Sequence, residues 1–195
     1  MQSTNPALTD GQIRSIIIGM MTGLVPTNSL AAGKMLVELL HRPANQSLNN
    51  DRTQGSELCT AVASMRRQTS GRVFLGGHSY GGRQASMLAA SEPNLVDRLL
   101  LLSYPLHPPQ KPSELRTDHF STLQTPAMFV HGTRDSFGSI DEVAAAMKLI
   151  PARTELLPIS GAGHELVSKR NREEISKRVV EAFRLFTCEV APCGQ

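Results

Sequence analysis

Several features that mark other classes of protein are scarce in this sequence. It has no tryptophan, and aromatic residues make up only 4% of the chain. The core must therefore consist mainly of leucine, isoleucine, valine, methionine and alanine. With 40% hydrophobic and 19% charged residues over 195 positions, the composition is typical of a globular protein, and we predict one domain over residues 1–195.

Cysteine is also scarce. The chain has Cys59, Cys188 and Cys193, with no Cys-x-x-Cys pair, so neither a disulfide framework nor a thiolate zinc site is expected. Cys188 and Cys193 are close enough in sequence to pair under oxidising conditions. We expect them instead to be free thiols in a loose tail over residues 188–195.

Long apolar runs and strong charge are missing as well. The apolar segment from Ile16 to Val25 is interrupted by Gly19 and Gly23, whereas a membrane span needs about 20 apolar residues. It lacks the basic start of a secretory signal, so a cytoplasmic location is the default expectation. The net charge is only +3, and no basic stretch is interleaved with aromatics. We therefore expect neither a membrane nor a nucleic acid as partner.

What is present is an alternation of short apolar runs with amphipathic stretches. This pattern predicts an α/β fold with a mostly parallel central sheet flanked by helices. The run Leu99–Leu102 is continuously apolar, as expected for a parallel strand covered on both faces. Strands are predicted at residues 72–75, 99–103, 127–131 and 155–159, with a weaker candidate at 13–18. Helices are predicted at 30–40, 58–65, 79–90, 140–147 and 175–186, and irregular segments at 42–55 and 104–112.

The predicted strand at 72–75 leads into a glycine-rich turn, Gly77-His78-Ser79-Tyr80-Gly81, and then into a helix. This is the setting of a nucleophile elbow, in which a serine occupies a strained, tight turn and neighbouring glycines make room for it. Ser79 is the predicted nucleophile, and the backbone N–H of Tyr80 is the predicted oxyanion donor. The five-residue pattern alone is weak, since a glycine-rich turn with an incidental serine would match it.

A serine hydroxyl needs a base, and the base needs an orienting acid. Asp135 follows the predicted strand at 127–131, and His164 follows the one at 155–159 in the run Gly161-Ala162-Gly163-His164. The order serine, acid, histidine along the chain is the one that this fold requires. As alternatives, Asp135 would cap the next helix, with Asp141 as a fallback acid, and His164 would be a surface-loop residue. His131 ends a strand and is interpreted as a packed residue near the site.

From Arg72 to about Phe186 the chain resembles the dienelactone-hydrolase-like group of α/β-hydrolases, which includes bacterial predicted hydrolases and relatives of a subunit of an animal histone-acetyltransferase complex. The motifs that carry the resemblance are Gly77–Arg83, Leu102–Pro109, Phe129–Asp135 and Gly161–His164. The resemblance implies Ser79, Asp135 and His164 as a catalytic triad. It also implies that the proline-rich loop borders the active-site mouth, so that the predicted substrate-binding residues are His78, Tyr104, Leu106 and His107. Dienelactone hydrolases use a cysteine nucleophile, and the serine here favours ordinary esters.

The N-terminal part, residues 1–55, departs from the family pattern. Members usually carry a His-Gly-containing loop that supplies a second oxyanion donor, but the counterpart here, Ile16–Gly23, has no histidine. The N–H of Met20 is the predicted donor, and the early strands are predicted to be shortened or atypical. Loss of one oxyanion donor costs about a hundredfold or more in rate, which would weaken the activity. Shortened early strands would also leave a sheet edge exposed, and pairing of that edge between two chains would favour a homodimer.

These features predict a serine hydrolase that cleaves small carboxylic esters with short acyl chains, without metal or cofactor. The chain has too few residues for a large cap domain as well as the sheet, which predicts an open site. The alternative is a non-catalytic or weakly active α/β-hydrolase module that serves in protein–protein interaction. Thioester, lactone or peptide cleavage would use the same machinery, because specificity depends on the shape of the pocket.

Overall fold

The computed structural model describes the backbone of residues 17–21, and residues 58–60, 62–63, 66–67 and 72–188. Its strands are β1 (Ile17–Met21), β2 (Arg72–His78), β3 (Arg98–Leu102), β4 (Ala127–Gly132) and β5 (Thr154–Ile159). Its longer helices are α1 (Tyr80–Ser91), α2 (Ile140–Met147) and α3 (Arg172–Cys188), with a short 3-10 helix at Phe120–Thr122. The described residues between β1 and β2, at 58–60, 62–63 and 66–67, are also helical.

The five strands form one sheet in the order β1-β2-β3-β4-β5. Strands β2 to β5 are parallel, and their register pairs His78 with Leu102, Leu102 with Val130 and Gly132 with Ile159. The carboxyl ends of these four strands therefore meet at one edge of the sheet, which is where open α/β sheets bind their ligands. The fold predicted from the alternation of strands and helices is confirmed.

Strand β1 runs antiparallel to β2, and it is the atypical feature of the N-terminal part. The strand predicted at 13–18 is observed at Ile17–Met21. The predicted helix at 30–40, the predicted irregular segment at 42–55 and the tail after residue 188 lie outside the described residues.

Two hydrophobic clusters cover the two faces of the sheet. Alternate residues of β3 divide between them, since Leu99 and Leu101 belong to one cluster and Leu100 and Leu102 to the other. Because every second side chain of a strand points to the opposite face, a strand buried on both faces must be apolar throughout. This explains the run of four leucines.

Helices α1 and α2 supply side chains to the first cluster, and α3 covers the second. The predicted stripe on α3 is confirmed, because Ile175, Val179, Phe183 and Phe186 are all buried. Phe183 packs edge-on against Phe74 of β2, with ring centroids 5.5 Å apart. No separate cap domain is evident in the part of the chain that the structure describes, and none of the helices in that part is long and apolar enough to cross a membrane.

Candidate active site

Ser79 occupies the turn between β2 and α1 with φ 54° and ψ −121°, a backbone conformation that is unfavourable for a residue with a side chain. Its N–H donates to the carbonyl of Leu102 at 2.8 Å, which ties the turn to the end of β3. A Cβ atom on Gly82 would lie 2.8 Å from the carbonyl oxygen of Gly77, so the turn closes only with glycine at position 82. The turn therefore places the serine at the carboxyl edge of the sheet, as the predicted elbow requires.

Three predicted residues are joined by hydrogen bonds at this edge. The Nε2 atom of His164 lies 2.7 Å from the Oγ atom of Ser79. The Nδ1 atom of His164 lies 2.9 and 3.0 Å from the two carboxylate oxygens of Asp135. A carboxylate only accepts, so Nδ1 carries the proton and Nε2 is left to accept from the serine hydroxyl. The arrangement can remove a proton from Ser79.

Two loops bring Asp135 and His164 together, although the residues belong to different strand–helix units. The N–H of Gly161 donates to Oγ1 of Thr133 at 2.9 Å, and the N–H of Arg134 donates to the carbonyl of Ala162 at the same distance. A side chain on Gly132 would collide with the carbonyl of Ala162, so the loops approach this closely only with glycine there. The loops after β4 and β5 are thus bound to each other.

Asp135 is held as a carboxylate. Its side chain has no solvent exposure, and its Oδ1 accepts the N–H of Phe137 at 2.9 Å. Burial alone would raise its pKa, but the hydrogen bonds from His164 and Phe137 outweigh burial and leave the pKa of Asp135 below its ordinary value. The N-cap of α2 is Ser139, whose Oγ accepts the N–H of Glu142, so capping is not the role of Asp135. Asp141, the fallback acid, is exposed on α2.

The imidazole of His164 lies between two other rings. The ring of Phe137 packs on it with a centroid distance of 4.2 Å and an interplanar angle of 33°. The ring of His78 lies 5.3 Å away, and its Nε2–H donates to the backbone carbonyl of His164 at 2.8 Å. Burial lowers the pKa of His78, which keeps its ring neutral. His78 therefore lies beside His164 with its Nε2–H bonded to the backbone, and its role in substrate binding stays a prediction.

The predicted role of Tyr104, Leu106 and His107 in substrate binding is corrected by the structure, since all three are buried. The ring of Tyr104 packs in the core, and its hydroxyl donates to the carbonyl of Arg116 at 2.7 Å. Burial raises the pKa of this hydroxyl far above its ordinary value. The Nδ1–H of His107 donates to the carbonyl of Pro108 at 2.9 Å. These side chains support the loop after β3 from inside and offer no surface to a substrate.

The structure also contradicts the prediction that the N–H of Met20 is an oxyanion donor. Met20 pairs with Val73, near the start of β2, whereas Ser79 follows the other end of that strand. Six residues separate Val73 from Ser79, which at about 3.3 Å per residue is on the order of 20 Å along the strand. The cause is the antiparallel direction of β1, which the apolar run does not reveal. Tyr80 is the first residue of α1, and this places its backbone N–H at the helix N-terminus beside Ser79.

Two residues of the site were overlooked or undervalued in the sequence. Phe137 gives both the N–H that Asp135 accepts and the ring that packs on His164. His131, interpreted as a packed residue near the site, lies with its Nε2 atom 3.6 Å from Oδ2 of Asp135. The only signal for either was its position close to Asp135 in the chain. Among the described residues, no group of histidine, cysteine, aspartate and glutamate is arranged to hold a metal ion.

A family model described as an alpha/beta hydrolase domain matches residues 42–188. The match covers most of the chain, which therefore belongs to the α/β-hydrolase family. The fold, and the position of the site at the carboxyl edge of the sheet, agree with this family.

Several solved structures share the fold of this chain. They include an alpha-beta serine hydrolase homologue from Coxiella burnetii, with 19% identity, a TM-score of 0.56, and 71% of this chain and 62% of that chain covered. Ferulic acid-bound Est1E from Butyrivibrio proteoclasticus has 14% identity and a TM-score of 0.59, with 84% of this chain and 85% of that chain covered. Dienelactone hydrolase from Anabaena variabilis has 20% identity and a TM-score of 0.54, with 70% and 61% covered. This chain thus spans less than two thirds of the Coxiella and Anabaena proteins.

Proposed function

We propose that this hydrolase cleaves small carboxylic esters through an acyl-enzyme formed on Ser79, with His164 as general base and Asp135 as the orienting acid. The observation that carries the proposal is the 2.7 Å contact between Nε2 of His164 and Oγ of Ser79. It is supported by the bond from Nδ1 of His164 to the buried carboxylate of Asp135.

In the first half of the reaction, Oγ of Ser79 forms a bond to the ester carbonyl carbon while its proton passes to Nε2 of His164. The carbonyl oxygen becomes an oxyanion, for which the N–H of Tyr80 at the start of α1 is the proposed donor. Collapse of the tetrahedral intermediate breaks the bond to the alcohol, which leaves with the proton from His164.

In the second half, water attacks the acyl-enzyme. His164 takes a proton from the water as the water oxygen bonds to the acyl carbon. The new oxyanion then collapses, the bond to Oγ of Ser79 breaks to release the carboxylic acid, and His164 returns the proton to Oγ. Asp135 stays ionised throughout and stabilises the imidazolium that forms twice in the cycle. The residues act without metal or cofactor in this scheme.

Esters with short acyl chains are the proposed substrates. The described loops at the carboxyl edge carry no cap, and the loop after β3 fills the space beside the sheet with its own buried side chains, including Tyr104. A shallow site of this kind would bind a small acyl group better than a long one.

The test compares wild type with Ser79→Ala in the hydrolysis of p-nitrophenyl butyrate, together with labelling by a fluorophosphonate probe. We expect wild-type turnover and labelling, and loss of both in the variant. Equal rates for the two proteins would refute the esterase function. An unlabelled but folded wild type would instead support the non-catalytic interaction module, which the hydrogen-bonded Ser79, His164 and Asp135 disfavour.

A further inference from the structure

His131 is a fully buried histidine that the proposed mechanism does not use. It lies in β4, four residues before Asp135, and neither its own side chain nor that of Asp135 is exposed to solvent. Its Nε2 atom lies 2.8 Å from the carbonyl oxygen of Gly138. A carbonyl only accepts, so Nε2 carries the proton and donates.

We propose that His131 is a positioning residue for the active site: by holding the carbonyl of Gly138, it fixes the segment Phe137–Gly138 against Asp135 and His164. The inference rests on the proposed function, because it assigns His131 a part in aligning the same three residues. Its consequence is that a side chain without contact to substrate controls the rate of acylation.

The segment that His131 holds contacts the site twice. The N–H of Phe137 donates to Oδ1 of Asp135 at 2.9 Å, and the ring of Phe137 packs on the imidazole of His164. The carbonyl of Phe137 accepts the N–H of His107 at 3.1 Å. A shift of Gly138 would therefore move a hydrogen-bond donor of the acid and a packing partner of the base together.

The segment Phe137–Gly138 is also confined by the residues packed against it. Gly138 has φ 153°, and a Cβ on it would lie 3.1 Å from Cβ of Leu106, so the backbone packs directly on the loop after β3. This gives Leu106 and His107 a role that replaces substrate binding: they form the wall against which His131 holds the segment.

The electrostatics favour the same arrangement. Burial lowers the pKa of His131, while the titratable groups that act on it are Asp135 and His164, which oppose each other. Its Nδ1 atom is buried without a hydrogen-bond partner, so a second proton there would be costly. His131 is therefore neutral, and its Nε2–H donates to the carbonyl of Gly138 while Nε2 lies 3.6 Å from Oδ2 of Asp135.

The decisive comparison is His131→Gln against His131→Asn. Glutamine places an amide nitrogen near the position of Nε2 and can still donate to Gly138, whereas asparagine reaches only to the position of Nδ1. Both are polar amides, so they differ mainly in reach. His119→Gln is a matched control, since Nε2 of His119 binds Oγ of Ser86, in a network that does not touch Asp135.

We expect His131→Asn to lower kcat for p-nitrophenyl butyrate by about tenfold to a hundredfold, with KM within about twofold, because misalignment acts on the chemical step. His131→Gln should recover kcat to within about fivefold of wild type, and His119→Gln should keep it. Thermal melting of each protein shows whether the measured rates come from folded enzyme. Equal kcat for the glutamine and asparagine variants, whether both high or both low, would overturn the proposal.

A readout independent of turnover separates this inference from the proposed function. In proton NMR, the low-field resonance of Nδ1–H of His164, assigned by its loss in His164→Gln, reports the bond to Asp135. It should persist in His131→Gln and broaden or vanish in His131→Asn. If wild type failed to hydrolyse esters but kept this difference, the esterase proposal would fall and the positioning role would stand. If wild type were active and the resonance were the same in both variants, the positioning role would fall.

Discussion

Replacing Asp135 by asparagine is the substitution that most directly tests how the buried carboxylate serves the base. The two side chains have nearly the same shape, so the variant should fold. The carboxylate accepts both the N–H of Phe137 and the Nδ1–H of His164. Asparagine has one oxygen and one NH₂ group, and the backbone N–H of Phe137 can be satisfied only by the oxygen.

The NH₂ group of the asparagine would then face Nδ1 of His164 as a donor. His164 would respond by moving its proton to Nε2, where it can no longer accept the proton of Ser79, 2.7 Å away. The equivalent exchange in a serine protease lowers kcat by about 10⁴ for this reason. Four tenfold steps at about 1.4 kcal/mol each raise the barrier by about 5.5 kcal/mol.

The assay is kcat for p-nitrophenyl butyrate and the rate of fluorophosphonate labelling, with melting temperature as the check on folding. Asp141→Asn is the matched control, because Asp141 is an exposed acid in the first turn of α2. We expect it to keep wild-type activity. If Asp135→Asn lost less than about tenfold in kcat, or if Asp141→Asn lost as much, the assignment of the acid would be refuted.

Two further substitutions examine the surroundings of the site. Tyr104→Phe leaves the partly buried carbonyl of Arg116 without its donor, so it should lower the free energy of unfolding by about 1 kcal/mol with KM unchanged. A raised KM at unchanged stability in urea unfolding would restore Tyr104 to the substrate site. Burial, with the charge of Arg83, lowers the pKa of His119 from 6.5 to about 4. Between these values the unfolded chain binds a proton that the folded chain does not, so stability rises with pH. His119→Gln should flatten that rise in urea unfolding from pH 4 to 7, and an unchanged slope would contradict it.

Much of the fold was predictable because its signals are local. The leucine run Leu99–Leu102 reports a strand buried on both faces, and the apolar stripe of α3 reports a helix packed on one side. Both depend on side-chain periodicity, which a chain carries whatever its neighbours are. The elbow at Ser79 is equally local, since tight turns demand particular glycines.

The site was predictable only as far as chain order defines it. In a parallel sheet, residues that follow successive strands arrive at the same edge, so Ser79, Asp135 and His164 were expected to lie close together. The structure brings them together, with the loops after β4 and β5 bonded to each other. Their distances depend on those bonds, which join residues of separate units.

The class of fold, the edge that carries the site and the order of its three residues follow from the amino-acid sequence, since strand periodicity and parallel topology suffice for these. The neighbours that complete the site become visible only in the folded chain. The antiparallel β1 takes Met20 away from Ser79, the core takes Tyr104 and Leu106 inward, and the loop after β4 brings Phe137 onto His164. The reason is that strand direction and the packing of a loop follow from contacts between distant segments, and no periodicity in the chain records those contacts.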